Sequence, residues 1–244
     1  VDTYWIGQPV RVGVGQRYNL SLTGGDNIFR WRTSLGYNNI SGAMKGSDRN
    51  NFNGTIDLSY THKNLIFNNQ TSITTNKAIN SKYGSFASYA QMNPYWPIYD
   101  DNGELIKSYV LPGVGVTSEI GNPLYNAQLN TYNNSNYTQL VNNFSIEWAI
   151  INELRLRGQF GISKNFTKSD SFYPAEHTMF DSYDISDAMK KGSYTFGTGE
   201  SFSMNGNLTL SYSKTFAHKH TIYGGADFYI SENSGYSYSF SAIG

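Results

Sequence analysis

The chain has 244 residues, 18 basic and 18 acidic side chains and no cysteine, which excludes disulfide stapling, zinc–thiolate sites and the basic footprint of a nucleic-acid binder. Aromatic residues make up 16% and charged residues only 15%, an unusual balance for a water-soluble domain. Mean hydropathy is −0.48 and no run approaches the ~18 apolar residues of a membrane-spanning helix, so the membrane architecture that composition allows is a β-barrel.

Residues 1–16 are Gly-rich and irregular. Residues 17–44 then set a unit that the chain repeats. Tyr18, Leu20 and Leu22 alternate with Arg17, Asn19, Ser21 and Thr23, and a tight turn follows at Gly24-Gly25-Asp26-Asn27. Beyond it Phe29, Trp31, Thr33, Leu35 and Tyr37 alternate with Arg30, Arg32, Ser34, Gly36 and Asn38. A period of two marks a strand with one apolar face.

A polar loop at 41–51 leads to a third strand over 52–60, a turn at 61–64 and a fourth strand over 65–75. The insertion 76–138 holds four of the six prolines and a dense aromatic set. Leu140, Asn142, Phe144, Ile146 and Trp148 then alternate with Val141, Asn143, Ser145 and Glu147. After a turn at 149–152, Leu154, Leu156, Phe160 and Ile162 alternate with Arg155, Arg157, Gln159 and Ser163. A second long connection, 164–202, contains a short helix at 186–191 stopped by Gly192. The last hairpin sets Met204, Leu208, Leu210 and Tyr212 against Ile222, Ala226, Phe228 and Ile230 across Ala217-His218-Lys219, with Asp227 on the polar side. Residues 231–244 read as a further loop.

Eight strands thus come as four hairpins with short turns, joined by linkers of about eleven, sixty and forty residues. In an up-and-down barrel every short turn falls at one rim and every long loop at the other, as in outer-membrane barrels. The faces agree. Arg30, Arg32, Asp57, Glu147, Arg155, Arg157 and Asp227 share the polar side, where a dry core would cost several kcal/mol for each unpaired charge. A wet lumen removes that cost, so these seven are the candidate lumen-lining residues. The expected fold is all-β: an antiparallel transmembrane β-barrel segment with long extracellular loops.

The stretches NLSLTGGDNIFRWRTSLGYNNISGAMKGSDRNNFNGTIDLSY (19–60) and YGSFASYAQMNPYWPIYDDNGEL (83–105) resemble the SusC/RagA-like TonB-dependent transporters of the Bacteroidetes outer membrane. The resemblance implies a 22-stranded barrel, a plug, a TonB box, and a SusD-like surface lipoprotein as lid. Residues 1–244 would then be part of one barrel domain, with plug and remaining strands outside this sequence. It implies import of an oligosaccharide or oligopeptide across the outer membrane, coupled to TonB. No cofactor, metal or nucleic acid is expected. A soluble carbohydrate-binding β-sandwich is the alternative on the same aromatics.

Tyr83, Phe86, Tyr89, Tyr95, Trp96 and Tyr99, with Asp100 as acceptor, are the candidate ligand-binding set, because rings stack on sugars or line a peptide groove. The same rings would equally pack the loop on itself or on the lid. Asp100-Asp101-Asn102-Gly103-Glu104 fails the spacing of a calcium loop and reads as a turn. His218 and His220 alone make a weak metal pair. Gly13-Val-Gly15, Gly113-Val-Gly115 and Gly197-Thr-Gly199 lack a phosphate-loop fingerprint, and no Gly-x-Ser-x-Gly elbow supports catalysis.

Overall fold

The computed structural model describes residues 2–111, 118–217 and 219–244, so Gly113-Val-Gly115 and His218 lie outside the described residues. Ten strands form in chain order: β1 (Val14–Gly25), β2 (Phe29–Ser41), β3 (Asp48–His62), β4 (Leu65–Ile79), β5 (Ser108–Leu111), β6 (Ser118–Gly121), β7 (Tyr132–Ile151), β8 (Leu154–Tyr173), β9 (Ser193–Phe216) and β10 (His220–Ile243). Two short helices, α1 (Phe86–Ala90) and α2 (Pro123–Gln128), lie in the long insertion.

Eight strands make one antiparallel sheet in the order β1-β2-β3-β4-β7-β8-β9-β10, and β5 pairs only with β6. Within this sheet each strand pairs with the sheet's next strand in chain order, β4 reaching β7 across the β5–β6 pair, and the four hairpin turns all fall at one rim. Among the described residues no second sheet covers the large one, which excludes the sandwich. Arg30 and Arg32 are exposed to solvent instead of being buried against a facing layer.

The strands outrun the sequence-based boundaries. β3 begins at Asp48, inside the expected loop 41–51; β8 runs on to Tyr173 and β9 starts at Ser193, so the connection expected over 164–202 shrinks to 174–192. Residues 231–243, expected as loop, continue β10. The helix expected at 186–191 appears as a 3-10 turn, Ile185–Lys190.

Register fixes which residues share a face. Tyr18, Tyr37 and Phe52 are successive cross-strand partners, as are Leu20, Leu35, Gly54 and Ile73. On the other face Arg32, Asp57, Gln70, Asn143, Gly161, Asn205 and Ser231 form one row from β2 to β10. The anticipated alternation therefore holds across the whole sheet.

The hairpins also step. His62, whose partner Leu65 closes the second hairpin, lies three residues past Ser59, the partner of Arg30 at the first. Ile151 lies three past Trp148, the partner of Leu65, and Phe216 lies four past Tyr212, the partner of Leu154. With ~3.3 Å rise per residue and ~4.8 Å between strands, this stagger tilts the strands by roughly 45–50° to the normal of the turn rim, near the ~45° of membrane-spanning strands.

The first turn shows how the local sequence closes a hairpin. Gly25 adopts φ +119°, and a Cβ there would strike the Phe29 carbonyl, so only glycine fits. Asp26 Oδ1 accepts from the amides of Ile28 (2.7 Å) and Phe29 (2.8 Å), and these bonds, Phe29's first, hold its carboxyl below the usual 3.8. The ionised form makes the bonds, so their contribution is full above that value and fades as pH falls through the lower folded-state value. Thermal unfolding of Asp26→Ala should show a loss against wild type at pH 7 that disappears in strong acid; a loss independent of pH would assign the effect to something other than the carboxylate.

Candidate functional site

Two regions collect the chemistry. The first is the polar face of the sheet, which is concave and encloses a trough of 1040 Å³ lined in part by Arg30, Arg32, Asp57, Gln70, Asn143 and Asn205. Asp57 Oδ1 accepts from Gln70 Nε2 at 2.8 Å, and Arg30 Nε donates to the Asp26 carbonyl at 3.3 Å, pinning it over the turn. Gly161 sits between Asn143 and Asn205 in the row. A Cβ there would lie 2.8 Å from Asn205 Oδ1 and 3.0 Å from Asn143 Oδ1, so its bare backbone makes room for both amides.

Nearer the turn rim, Glu147 pairs with Arg155 (3.5 Å) and Arg157 (3.8 Å) across β7 and β8. The arginine side chains are 62% and 57% exposed, so each pair contributes only ~0–1 kcal/mol. Asp227 is exposed two strands from Arg157, through Thr209. All seven predicted lumen-lining residues thus share one water-exposed face.

The second region is a loop module at the opposite rim, where 80–111, 118–131, 174–192 and the N-terminal segment pack together. Its centre is Trp5, Tyr89, Met92 and Tyr109. Trp96 stacks on Tyr109 with ring centroids 4.6 Å apart, and Trp5 meets Tyr109 edge-on at 6.2 Å. Trp5 Nε1 donates to the Asn93 carbonyl (3.0 Å), and Tyr109 Oη donates to that of Pro97 (2.6 Å). Burial pushes the Tyr109 hydroxyl up to about 12 and raises that of Tyr89 further, so both stay neutral. Fully buried Asn122 donates to the Ile106 carbonyl and caps α2 through the Leu124 amide. Lys107 reaches across to Asp181, and Asn126 to Thr178, tying 80–111 and 118–131 to 174–192.

This packing divides the predicted ligand set. Tyr89 has no exposed surface, and Tyr83 and Trp96 are half-buried. Phe86, Tyr95 and Tyr99 are exposed by 47%, 76% and 55%. Asp100 Oδ1 accepts from the Asn102 and Glu104 amides at 2.9 Å each, so that oxygen closes a turn. Sequence reasoning passed over Trp5, Tyr109 and Asn122. Trp5 was the findable one, a tryptophan in an otherwise Gly-rich lead segment. Among the described residues no group of three His, Asp or Glu side chains is placed to hold a metal.

Solved structures share this architecture. Over 99% of the chain it matches the structure of the RagAB peptide transporter, with TM-score 0.71 and 19% identity, covering 27% of that chain. It matches the RagAB peptide importer in its closed-closed state over 99%, with TM-score 0.68, 16% identity and 30% of that chain. No family's sequence profile and no curated protein matches. The resemblance to RagA-type transporters holds at the level of fold: the chain spans less than a third of the length of these chains and has the architecture of a segment of such a barrel.

The loop module makes a stability contrast. Trp5→Ala should cost ~3–5 kcal/mol of module stability, against ~0.5 kcal/mol or less for exposed Tyr95→Ala. Limited proteolysis within 80–131 reads both; equal cleavage of the two variants would mean that Trp5 does not hold the module.

Proposed function

We propose that this chain is part of the barrel wall of an outer-membrane importer that takes up oligomeric nutrients, energised through TonB and closed by a SusD-like surface lipoprotein. The observation that carries the reading is the sheet itself: one layer, concave and charged on one face, apolar on the other, with short turns at one rim and a built loop module at the other. Neither β1 nor β10 has a partner on its outer edge among the described residues, and further strands of the same barrel would pair them.

A peptide is the favoured cargo over a glycan, since the similar structures are described as a peptide transporter and importer. The trough mixes both charge signs with amide donors and acceptors, which suits peptide backbones and termini. Arg30, Arg32, Asp57, Glu147, Arg155, Arg157 and Asp227 would line the lumen through which cargo passes. Phe86, Tyr95 and Tyr99, exposed on a module that holds itself together, would meet the lid or the captured cargo, while Tyr83, Tyr89 and Trp96 hold the module in shape and Asp100 its turn.

Two measurements test this. Leu35→Arg, on the face assigned to lipid, should destabilise the bilayer-inserted protein by ~2–4 kcal/mol, whereas Ser34→Arg on the lumen side should stay within ~0.5 kcal/mol. Equal costs would remove the lipid assignment. Replacing Phe86, Tyr95 and Tyr99 together by Ala should leave thermal unfolding unchanged and lower uptake of a labelled oligopeptide by about tenfold, near 1.4 kcal/mol of lost contact; unaltered uptake would take these rings out of the site.

A further inference from the structure

On the apolar face, one row breaks the pattern at the rim that carries the loop module. Each strand contributes one residue to it: Gln16, Asn39, Asn50, Lys77, Asn136, Lys168, Thr198 and Tyr238. The next row towards the turns contains the aromatics Tyr18, Tyr37, Phe52, Phe166 and Tyr236 together with Thr75, Thr138 and Glu200. Because the strands tilt, such a row climbs across the sheet, and its centre, Lys77, Asn136 and Lys168, stands 12, 15 and 14 residues from the closing pairs of its hairpins, about 25–35 Å above the turns and at the far edge of a ~30 Å hydrocarbon layer.

At its centre Lys77, Asn136 and Lys168 are successive partners on β4, β7 and β8, about 4.8 Å apart from strand to strand, and all three are exposed. A depression of 250 Å³ opens on this face beside Lys77 and Asn136, with Tyr37 and Phe52 among its walls. The surrounding carboxylates are mostly engaged. Glu200 holds Lys164 at 2.7 Å, and Asp48 is bound by Ser41 and Arg11. Asp170 lies two residues beyond Lys168 on the same face. Among the described residues neither Lys77 nor Lys168 forms an ion pair, and Lys168 stands over the Phe196 ring at 5.2 Å.

We infer that Lys77, Asn136 and Lys168 bind the phosphate of a lipid in the outer leaflet, with the lipid's acyl chains lying on Leu35, Ile56 and Ile73 below. Two ammonium groups flanking a carboxamide donor match the spread oxygens of a phosphate monoester. Their place at the far edge of the apolar span, beside the rings of Phe52 and Phe166, selects a lipid-borne phosphate over one free in solution. The inference rests on the proposed orientation of the apolar face towards lipid.

The test uses the intact protein extracted from its membrane, delipidated and titrated with diphosphoryl lipid A under native mass spectrometry. At about fivefold for each lysine near a lipid surface, Lys77→Gln with Lys168→Gln should weaken binding about 30-fold. Asn136→Leu should weaken it with no change of charge, and Lys219→Gln at the other rim should leave it unchanged. Wild type should bind the dephosphorylated lipid as weakly as the double variant binds the phosphorylated one. Lipid A binding that is indifferent to Lys77 and Lys168 would overturn the site, and inorganic phosphate binding as tightly as the lipid would overturn its lipid nature. Vesicle flotation of wild type separates the premise: a protein that does not enter bilayers refutes the barrel reading itself, whereas an inserted protein with lysine-indifferent binding refutes only this site.

Discussion

Every backbone hydrogen bond of a strand is made sideways, to its neighbour, and every side chain points alternately to one face or the other. In this chain those two facts leave almost no freedom. Once Gly25 and Asp26 close the first turn, the pairing of Leu20 with Leu35 fixes that of Leu35 with Gly54, and so on across the sheet. A slip of one residue in the pairing of β2 would carry Arg30 and Arg32 to the apolar face, and one in β8 would carry Arg155 and Arg157 there. The alternation is thus the constraint from which the trough, the apolar wall and the tilt of the strands all follow.

That constraint explains what could be read from sequence. The four hairpins and the polar face carrying Asp57, Glu147 and Asp227 were legible because apolar residues there alternate strictly with polar ones. Strand ends were not. From Lys164 to Tyr173 the apolar side of β8 carries Lys164, Lys168 and Asp170 among Phe166 and Phe172, so the hydrophobic period dissolves while the hydrogen-bonded ladder continues. β10 hides its last turns differently: Tyr236, Tyr238 and Phe240 alternate with serines, a composition that resembles a loop although its period is still two. Strand length in this fold exceeds the apolar band, and the excess has no hydrophobic signature.

The loop module was legible only as composition. Its aromatics follow neither period, because α1 and α2 span only five and six residues and β5 and β6 four each, too short for either period to show. Nothing in spacing separates Tyr89, which is sealed inside, from Tyr95, which is outside. What separates them is a partner remote in sequence, since Trp5 and Tyr109 provide the surface against which one side of the loop can bury itself. The N-terminal segment then works as a strap. Thr3 bonds to the carbonyls of Pro94 and Trp96 in the module, while the Pro9 carbonyl and the Arg11 amide bond to Lys45 and Ala43 in the loop between β2 and β3. The segment thus ties the module to the loop between β2 and β3, at the rim opposite the hairpin turns.

Residues that break the pattern of the wall distinguish its two faces. Asn69, Thr71 and Asn142 sit on the apolar face, where lipid would offer them no partner. They bond to one another instead. Asn69 and Asn142 exchange amide bonds at 3.3 and 3.2 Å, Asn142 also donates to Thr71 at 2.7 Å, and Thr71 donates to Asn69 at 3.2 Å. On the opposite face Arg155 and Arg157 share a single carboxylate, and their remaining donors project into open space, an arrangement that is stable only beside water. The Asn69–Thr71–Asn142 trio is satisfied within the wall, whereas the spare donors of Arg155 and Arg157 rely on solvent. That difference supports the proposed placing of the apolar face against hydrocarbon and of the charged face beside water.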